Sequence, residues 1–352
     1  MAPDPQPAAT PTREATRGPW AQAGRRFLRN RAAVLAAVVF VLIVLFVLAA
    51  PLWASHVADT GPNRNHTLEK IEVDGEERDV VSVEGLPIGP QWFAAGGKFF
   101  LGADGRLGRD EMVRLMYGGR TSLLVGITAA LLTTALAIAL GLLAGYFGGW
   151  VDTVIARTLD VIWSLPVFLI GLAIGVSLAI GGLELGPVEL SGGSLLIPIG
   201  IIAVFSVPYV ARPIRGQVIA LSKMEFVEAA LAQGASPLRL MWSEILPNLA
   251  STIIVFATLT IANSMLFEAG LSFLGAGVQP PSSSWGLMVS SGVGLLNTQP
   301  LLAIVPGLMI MVTVLSLNVV GDGLRDALDP RSGVEIEARA GTVPVEAPEG
   351  AL

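Results

Sequence analysis

The chain has no cysteine, only two histidines and three tyrosines, and just 14% of its 352 residues are charged. Each shortage removes a class of function. Without cysteine there are no disulfides, thiolate zinc sites or cysteine nucleophiles. His56 and His66 stand in no metal-ligand spacing, and neither a G-x-S-x-G elbow nor an H-E-x-x-H helix occurs. Gly97-Lys98 is followed by Phe99 and lacks an upstream glycine, so the chain has no phosphate-cradling loop of its own for ATP. The net charge is −6 and no lysine or arginine stripe exists to neutralise phosphates, which removes nucleic acid as a partner. A soluble domain carries roughly 25% charged residues. Here apolar residues reach 53%, more than a water-facing globule can cover and too many for whole-chain disorder. What remains is an integral membrane protein.

The few charges mark out the spans. A bilayer core needs roughly 20 apolar residues in a helix. Residues 32–53 form one such run. Arg120 and Asp152, Asp160 and Glu184, Glu189 and Arg212, and Glu244 and Glu268 enclose four more. No charge occurs between Glu268 and Asp322, and the 279–284 stretch Gln-Pro-Pro-Ser-Ser-Ser divides that length into a loop and a final helix near 301–320. The expectation is an all-α membrane protein with six transmembrane helices. Arg13, Arg17, Arg25, Arg26, Arg29 and Arg31 precede the first span, and Arg212, Arg215, Lys223 and Arg239 lie between the fourth and fifth, whereas 182–194 and 271–298 hold no positive charge. The positive-inside rule then places both termini and the 212–245 segment in the cytoplasm. The first outer loop dissents with eight Lys/Arg, but it also carries eleven acids and is long enough to weaken the rule.

The organisation expected is a disordered cytoplasmic leader (1–24), an N-terminal segment with the first span (25–54), an extracytoplasmic loop (55–115), a core of five spans (116–325) and a mostly disordered cytoplasmic tail (326–352). Arg25-Arg26 before an apolar run is reminiscent of an export signal, but the run exceeds the 7–15 apolar residues of a signal peptide and reads as an anchor. Gly141, Gly145 and Gly149, and Gly171 with Gly175, repeat at four-residue spacing, which lets neighbouring helix backbones approach. Arg157 and Asp160 share a helix face and can pair. Glu268, near the outer end of the fifth span, needs a partner or a water-filled cavity. It and Asn263 stand as a structural pair or as residues of a translocation path, and the sequence leaves both open.

Residues 222–247 are the richest local signal. Ser222 with Glu225 three later reads as a capping box, Gly234 as a left-handed helix end, and Ser236 with Pro237 as the start of a second helix. The first helix presents Phe226, Ala229 and Ala230, groups suited to a groove on a partner protein. The other reading is a helix lying on lipid, against which Glu225 and Glu228 argue.

Glu228-Ala229-Ala230, Gly234 and Leu246-Pro247 resemble the EAA loop of ATP-binding-cassette importer permeases, with Glu244 where the pattern usually has isoleucine and Ile245 directly after it. Phe27-Leu28-Arg29-Asn30-Arg31, Tyr117-Gly118-Gly119-Arg120-Thr121-Ser122, Ala144-Gly145-Tyr146-Phe147-Gly148-Gly149, Leu271-Ser272-Phe273-Leu274-Gly275, Ser284-Trp285-Gly286 and Gly321-Asp322-Gly323-Leu324-Arg325-Asp326 resemble the dipeptide/oligopeptide/nickel branch, its second permease subunit in particular. Residues 60–99 do not match. The resemblance implies a type I importer (MetI-like) permease fold in the plasma (inner) membrane. It implies a coupling helix in which Glu225, Phe226, Glu228, Ala229, Ala230, Gly234, Leu246 and Pro247 engage an ATPase. The partners implied are a second homologous permease, two ATPases that carry the ATP and Mg, and an extracytoplasmic binding protein. No cofactor is expected on this chain. Short peptides are the expected cargo, with nickel or another small solute as the alternative, and a gradient-driven secondary transporter as the alternative of another class.

Overall fold

A computed structural model describes residues 19–328 apart from 74, 106, 186–187 and 191–192, with 179, 183–185 and 188–190 described by backbone alone. Most of the leader and nearly all of the tail expected from the sequence lie outside those residues. Within the leader, however, Pro19 opens a helix, α1 (Pro19–Arg29), and the last helix runs to Leu328.

Asn30 separates α1 from α2 (Arg31–Leu48) and caps the latter, its side-chain oxygen accepting from the N–H of Ala33 at 3.2 Å. The apolar window 32–53 is broken just ahead of Pro51, so α3 (Ala50–His56) follows as a separate turn. The chain between α3 and α4 folds into a small body with an antiparallel hairpin, β1 (Lys70–Val73) against β2 (Glu76–Asp79). Val80, Phe99 and Ala103 form its core. Buried His66 closes it, with Nδ1 2.7 Å from Glu69 Oε2, Nε2 2.7 Å from Thr60 Oγ1, and its ring edge-on to Phe99. The His66 bond holds the Glu69 carboxyl below its ordinary 4.5. Asp110 joins this body to the membrane bundle: Oδ2 accepts from Phe99 N–H at 2.7 Å while Oδ1 caps α4 at Val113 N–H. Burial pushes the Asp110 carboxyl above its ordinary value, the backbone bonds pulling the other way.

The bundle consists of α4 (Glu111–Phe147), α5 (Gly149–Ser164), α6 (Val167–Gly181), α7 (Leu196–Leu221), α11 (Ala250–Phe273) and α13 (Leu301–Leu328), together with α2. Between α7 and α11 lie α8 (Glu225–Ala232), α9 (Pro237–Arg239), a π-helical stretch Leu240–Ile245 and α10 (Leu246–Asn248). A short α12 (Trp285–Val293) precedes α13, and a small hairpin, β3 (Leu183–Leu185) with β4 (Val188–Leu190), follows α6. Among the described residues five helices are long and apolar enough to cross a membrane alone. The sixth span exists only as a bent pair, α5 and α6 meeting at 84°. The cause is Pro166, which disfavours helix at Leu165 and leaves that residue extended.

The glycine spacing acts where α4 crosses α7. A Cβ on Gly141 would stand 2.6 Å from Ile214 Cγ2, and one on Gly145 2.6 Å from Val218 Cβ and 2.9 Å from the Arg215 carbonyl oxygen. Gly149 does not continue the stripe: at φ +54° it opens α5 and nothing packs on it. Gly171 and Gly175 make room for Leu271 and for the backbone of Ala276. Around the α4–α7 crossing Leu142, Leu159, Val207, Val210, Ile214, Val218, Leu240, Ile245 and Leu249 form the largest core.

Gly145→Leu is expected to destabilise by roughly 1–3 kcal/mol through overpacking against backbone that cannot yield, read as a lowered Tm of the purified protein in detergent. An unaltered Tm would contradict the close approach. Because the folded Glu69 pKa is depressed, the latch at His66 contributes stability above the ordinary carboxylate value of 4.5 and loses it as pH falls below that. Hydrogen-exchange protection of residues 60–80, measured against the intrinsic rate at each pH, should therefore fall in acid before that of the bundle.

Candidate functional site

Two places gather the residues singled out in the sequence. The first is the connection from α7 to α11. Ser222 does not cap α8: it ends α7, and its Oγ donates to the Ile219 carbonyl at 3.0 Å, while Met224 occupies the cap position without a side-chain bond. The capping box fails because α7 runs on to Leu221 and absorbs the serine. Gly234 does adopt the left-handed conformation, at φ +82°, and Ser236 caps the next turn by accepting from Arg239 N–H, with Pro237 at its start.

Val227 anchors α8 in the large core, and Ala230 packs against that core. Glu225, Phe226, Glu228 and Ala229 face outward. The π-helical turn adds one residue to its repeat, so Ile245 rather than Glu244 points inward and is fully buried. That register shift accounts for the one-residue departure at Glu244. Leu246 is half-buried and Pro247 exposed. The outcome is a firmly seated turn carrying five exposed large apolar side chains: Met224, Phe226, Leu231, Leu238 and Trp242. Leu238 and Trp242 lay outside the motif residues, and only the helix phase set by the π turn brings them out.

Ion pairs connect the same end of the bundle. Arg215 grips Asp152 of α5 through two bonds, Nη2 to Oδ2 at 2.6 Å and Nε to Oδ1. Arg212 reaches Asp160 at 2.9 Å and lies over the Trp163 ring, and Asp160 also pairs with Arg157 at 3.8 Å. Thus α5, the first half of the broken span, is tied to α7, from which α8 hangs.

The second place surrounds Glu268. Its carboxyl is 1% exposed. Oε1 accepts from Ser272 Oγ at 2.7 Å, and that same Oγ accepts from Val278 N–H at 3.0 Å. Oε2 has no hydrogen-bond partner among the described residues, and the hydroxyls of Ser122 and Ser284 lie near the carboxyl. Ser122 Oγ accepts from Trp285 N–H, and Ser284 Oγ caps α12 at Leu287 N–H. Trp285, fully buried, donates its Nε1–H to the Leu115 carbonyl at 2.9 Å and fills the space left by Gly119. Glu268 therefore sits where α4, α11 and α12 meet. Asn263 is not its partner: five residues back is about 140° around the helix, and Asn263 lies half-buried elsewhere. The α12 helix went unread in the sequence, although the Ser284 cap ahead of Trp285 was a usable sign. Among the described residues no group of His, Asp and Glu stands ready to hold a metal ion.

Residues 137–334 match the family described as binding-protein-dependent transport system inner membrane component, and residues 18–68 match the N-terminal TM domain of oligopeptide transport permease C. The chain belongs to this permease family. The permease is 35% identical to the glutathione transport system permease protein GsiD of Pectobacterium atrosepticum, over 90% of this chain and 93% of that one. It is 34% identical to the dipeptide transport system permease protein DppC of Alkalihalophilus pseudofirmus, over 94% and 96%. It is 36% identical to the oligopeptide transport system permease protein OppC of Escherichia coli, over 89% and 91%. A chain of the inward-facing MetNI methionine ABC transporter is similar at TM-score 0.49 and 17% identity, covering 62% of the permease and 97% of that chain. As a member of this family the permease is a multi-pass, non-catalytic subunit of a binding-protein-dependent transporter.

Glu268→Ala is expected to destabilise by about 1–3 kcal/mol, since it strands buried hydroxyls, whereas Glu268→Gln keeps an acceptor for Ser272 and leaves both Tm and uptake near those of the unaltered protein. Uptake lost at unchanged Tm in Glu268→Gln would place the carboxyl on the transport path instead.

Proposed function

We propose that this permease imports short peptides: it pairs with a second, similar permease, receives cargo from an extracytoplasmic binding protein, and is driven by two ATPases that hold the ATP and Mg. The cargo reading is supported by the relatives, whose names give oligopeptide, dipeptide and glutathione transport. Both termini and the 222–247 segment are cytoplasmic in this reading, which the arginines of α1 and the 212–239 region support.

The observation that carries the mechanism is the apolar patch of Met224, Phe226, Leu231, Leu238 and Trp242 on a turn whose other side is fixed in the core. Exposed apolar clusters of this kind mark protein-binding surfaces. Flanking Glu225 and Glu228 suit a groove with basic residues and oppose an anionic lipid surface. Phe226, Ala229 and the two glutamates enter the ATPase groove; Gly234, Leu246 and Pro247 set the angle at which the turn meets α11. Closure of the ATPases moves the turn, α7 follows, and the Arg215–Asp152 and Arg212–Asp160 pairs carry the motion to the broken span. Alternating access then requires that the turn bind the ATPases with different free energies in the two states, since a partner shifts an equilibrium only by its differential affinity.

Glu228→Lys is expected to reduce copurification with the ATPase subunits about tenfold, at normal membrane levels of the permease. Normal copurification would remove the docking role. Gly234→Val forces a β-branched residue into the left-handed region at a cost of roughly 1–2 kcal/mol, and should lower uptake and binding-protein-stimulated ATP hydrolysis together. If both persist, the turn does not couple.

A further inference from the structure

Between α7, α11 and α13, at the end of the bundle that carries the 222–247 segment, lies a cleft of about 470 Å³. Its walls include Tyr209, Gln217, Thr252, Phe256 and Arg325. Gln217 and Thr252 bond across it at 2.9 Å, and Tyr209 stands edge-on to Phe256 at 5.9 Å. Polar side chains at membrane depth are costly against lipid and are retained where they line water. Each of the three helices contributes a polar side chain to this space, Gln217 from α7, Thr252 from α11 and Arg325 from α13, beside the apolar Val255, Leu259 and Leu328. Arg325 is exposed at its rim and forms no ion pair with another described residue. A guanidinium offers two parallel donors that match a carboxylate.

We propose that this cleft is the inner vestibule of the transport path and that Arg325 receives the carboxylate of the departing solute there. The proposal rests on the peptide-import reading for its cargo but not for its location. The volume falls within the range of small-ligand sites. Tyr209 and Phe256 supply a tolerant wall for varied side chains, while Gln217, Thr252 and Arg325 address groups common to every peptide, its amides and its C-terminus. Cargo variety and one shared recognition point are thereby reconciled.

Two measurements on the complete transporter in lipid vesicles decide it. The natural chain has no cysteine, so Thr252→Cys gives this subunit a single thiol. A membrane-impermeant maleimide added on the ATPase side should label it without nucleotide and at least fivefold more slowly after vanadate trapping. No labelling in either state would put the cleft against lipid or the second permease and overturn the vestibule. In the second measurement, Arg325→Gln should lower uptake of a free dipeptide about tenfold, as expected for loss of one charge-assisted contact, and hardly alter that of its C-terminal amide. Arg325→Lys, which keeps the charge but not the paired donors, should fall between Arg325→Gln and the unaltered protein. Equal losses for both peptides, or losses restored by added phosphatidylglycerol, would assign Arg325 to folding or to a lipid headgroup and overturn its role. If the unaltered transporter carries neither peptide, the cargo reading and the carboxylate role both fall, while the labelling still decides the vestibule.

Discussion

Two helices in a bilayer gain nothing from hiding apolar surface from each other, because the lipid is as apolar as they are. What brings them together is close backbone packing, and α4 and α7 achieve it only because Gly141 and Gly145 carry no side chain against Ile214, Arg215 and Val218. The rest of the permease is arranged around that crossing. Arg212 and Arg215 lie beside it and reach α5; α8 and the π turn settle into the core that surrounds it; and the N-terminal half of α4, held at one register by the crossing, presents Ser122 and Gly119 to Trp285.

The family motifs that looked like separate words in the sequence are two halves of one set of contacts. Tyr117-Gly118-Gly119-Arg120-Thr121-Ser122 supplies space for Trp285 and Met288, an acceptor for Trp285 N–H, and an arginine whose Nε and Nη2 hold the carbonyls of Val47 and Leu48 at the end of α2. Ser272 and Gly275 shape the turn beyond α11, and Ser284-Trp285-Gly286 starts α12 hard against Ala269. Glu268 stands at their junction. A buried acid in a membrane helix is thus enclosed by the packing of α4, α11 and α12.

Much of the architecture was legible because its causes are local. Charges are so costly in lipid that their spacing outlines the spans, and Gly234, Ser236 and Pro237 act through their own backbones. Other features hid for equally physical reasons. Counting charges is blind to Pro166, which divides an uncharged stretch without altering its hydropathy. The α12 helix lies inside 269–321, an uncharged length in which charge counting gives no bounds for a short helix. Ser222 had two uses, ending one helix or beginning another, and the longer α7 won. The exposed position of Trp242 depends on the π turn, which no residue pattern announces.

The length of α4 carries a consequence of its own. Thirty-seven residues make a rod about 55 Å long, against a hydrocarbon layer of about 30 Å. Even leaning at 40°, the upper end of the usual range, it would still rise about 42 Å along the bilayer normal. Some turns must therefore lie beyond the hydrocarbon, and the charges of Glu111, Arg114 and Arg120 identify the end that does, the first two covered by protein. The folded body formed by the described residues of 57–110 is consequently lifted clear of the hydrocarbon on a stiff stanchion, so that any visitor arriving from that side meets a platform before it meets the buried helices.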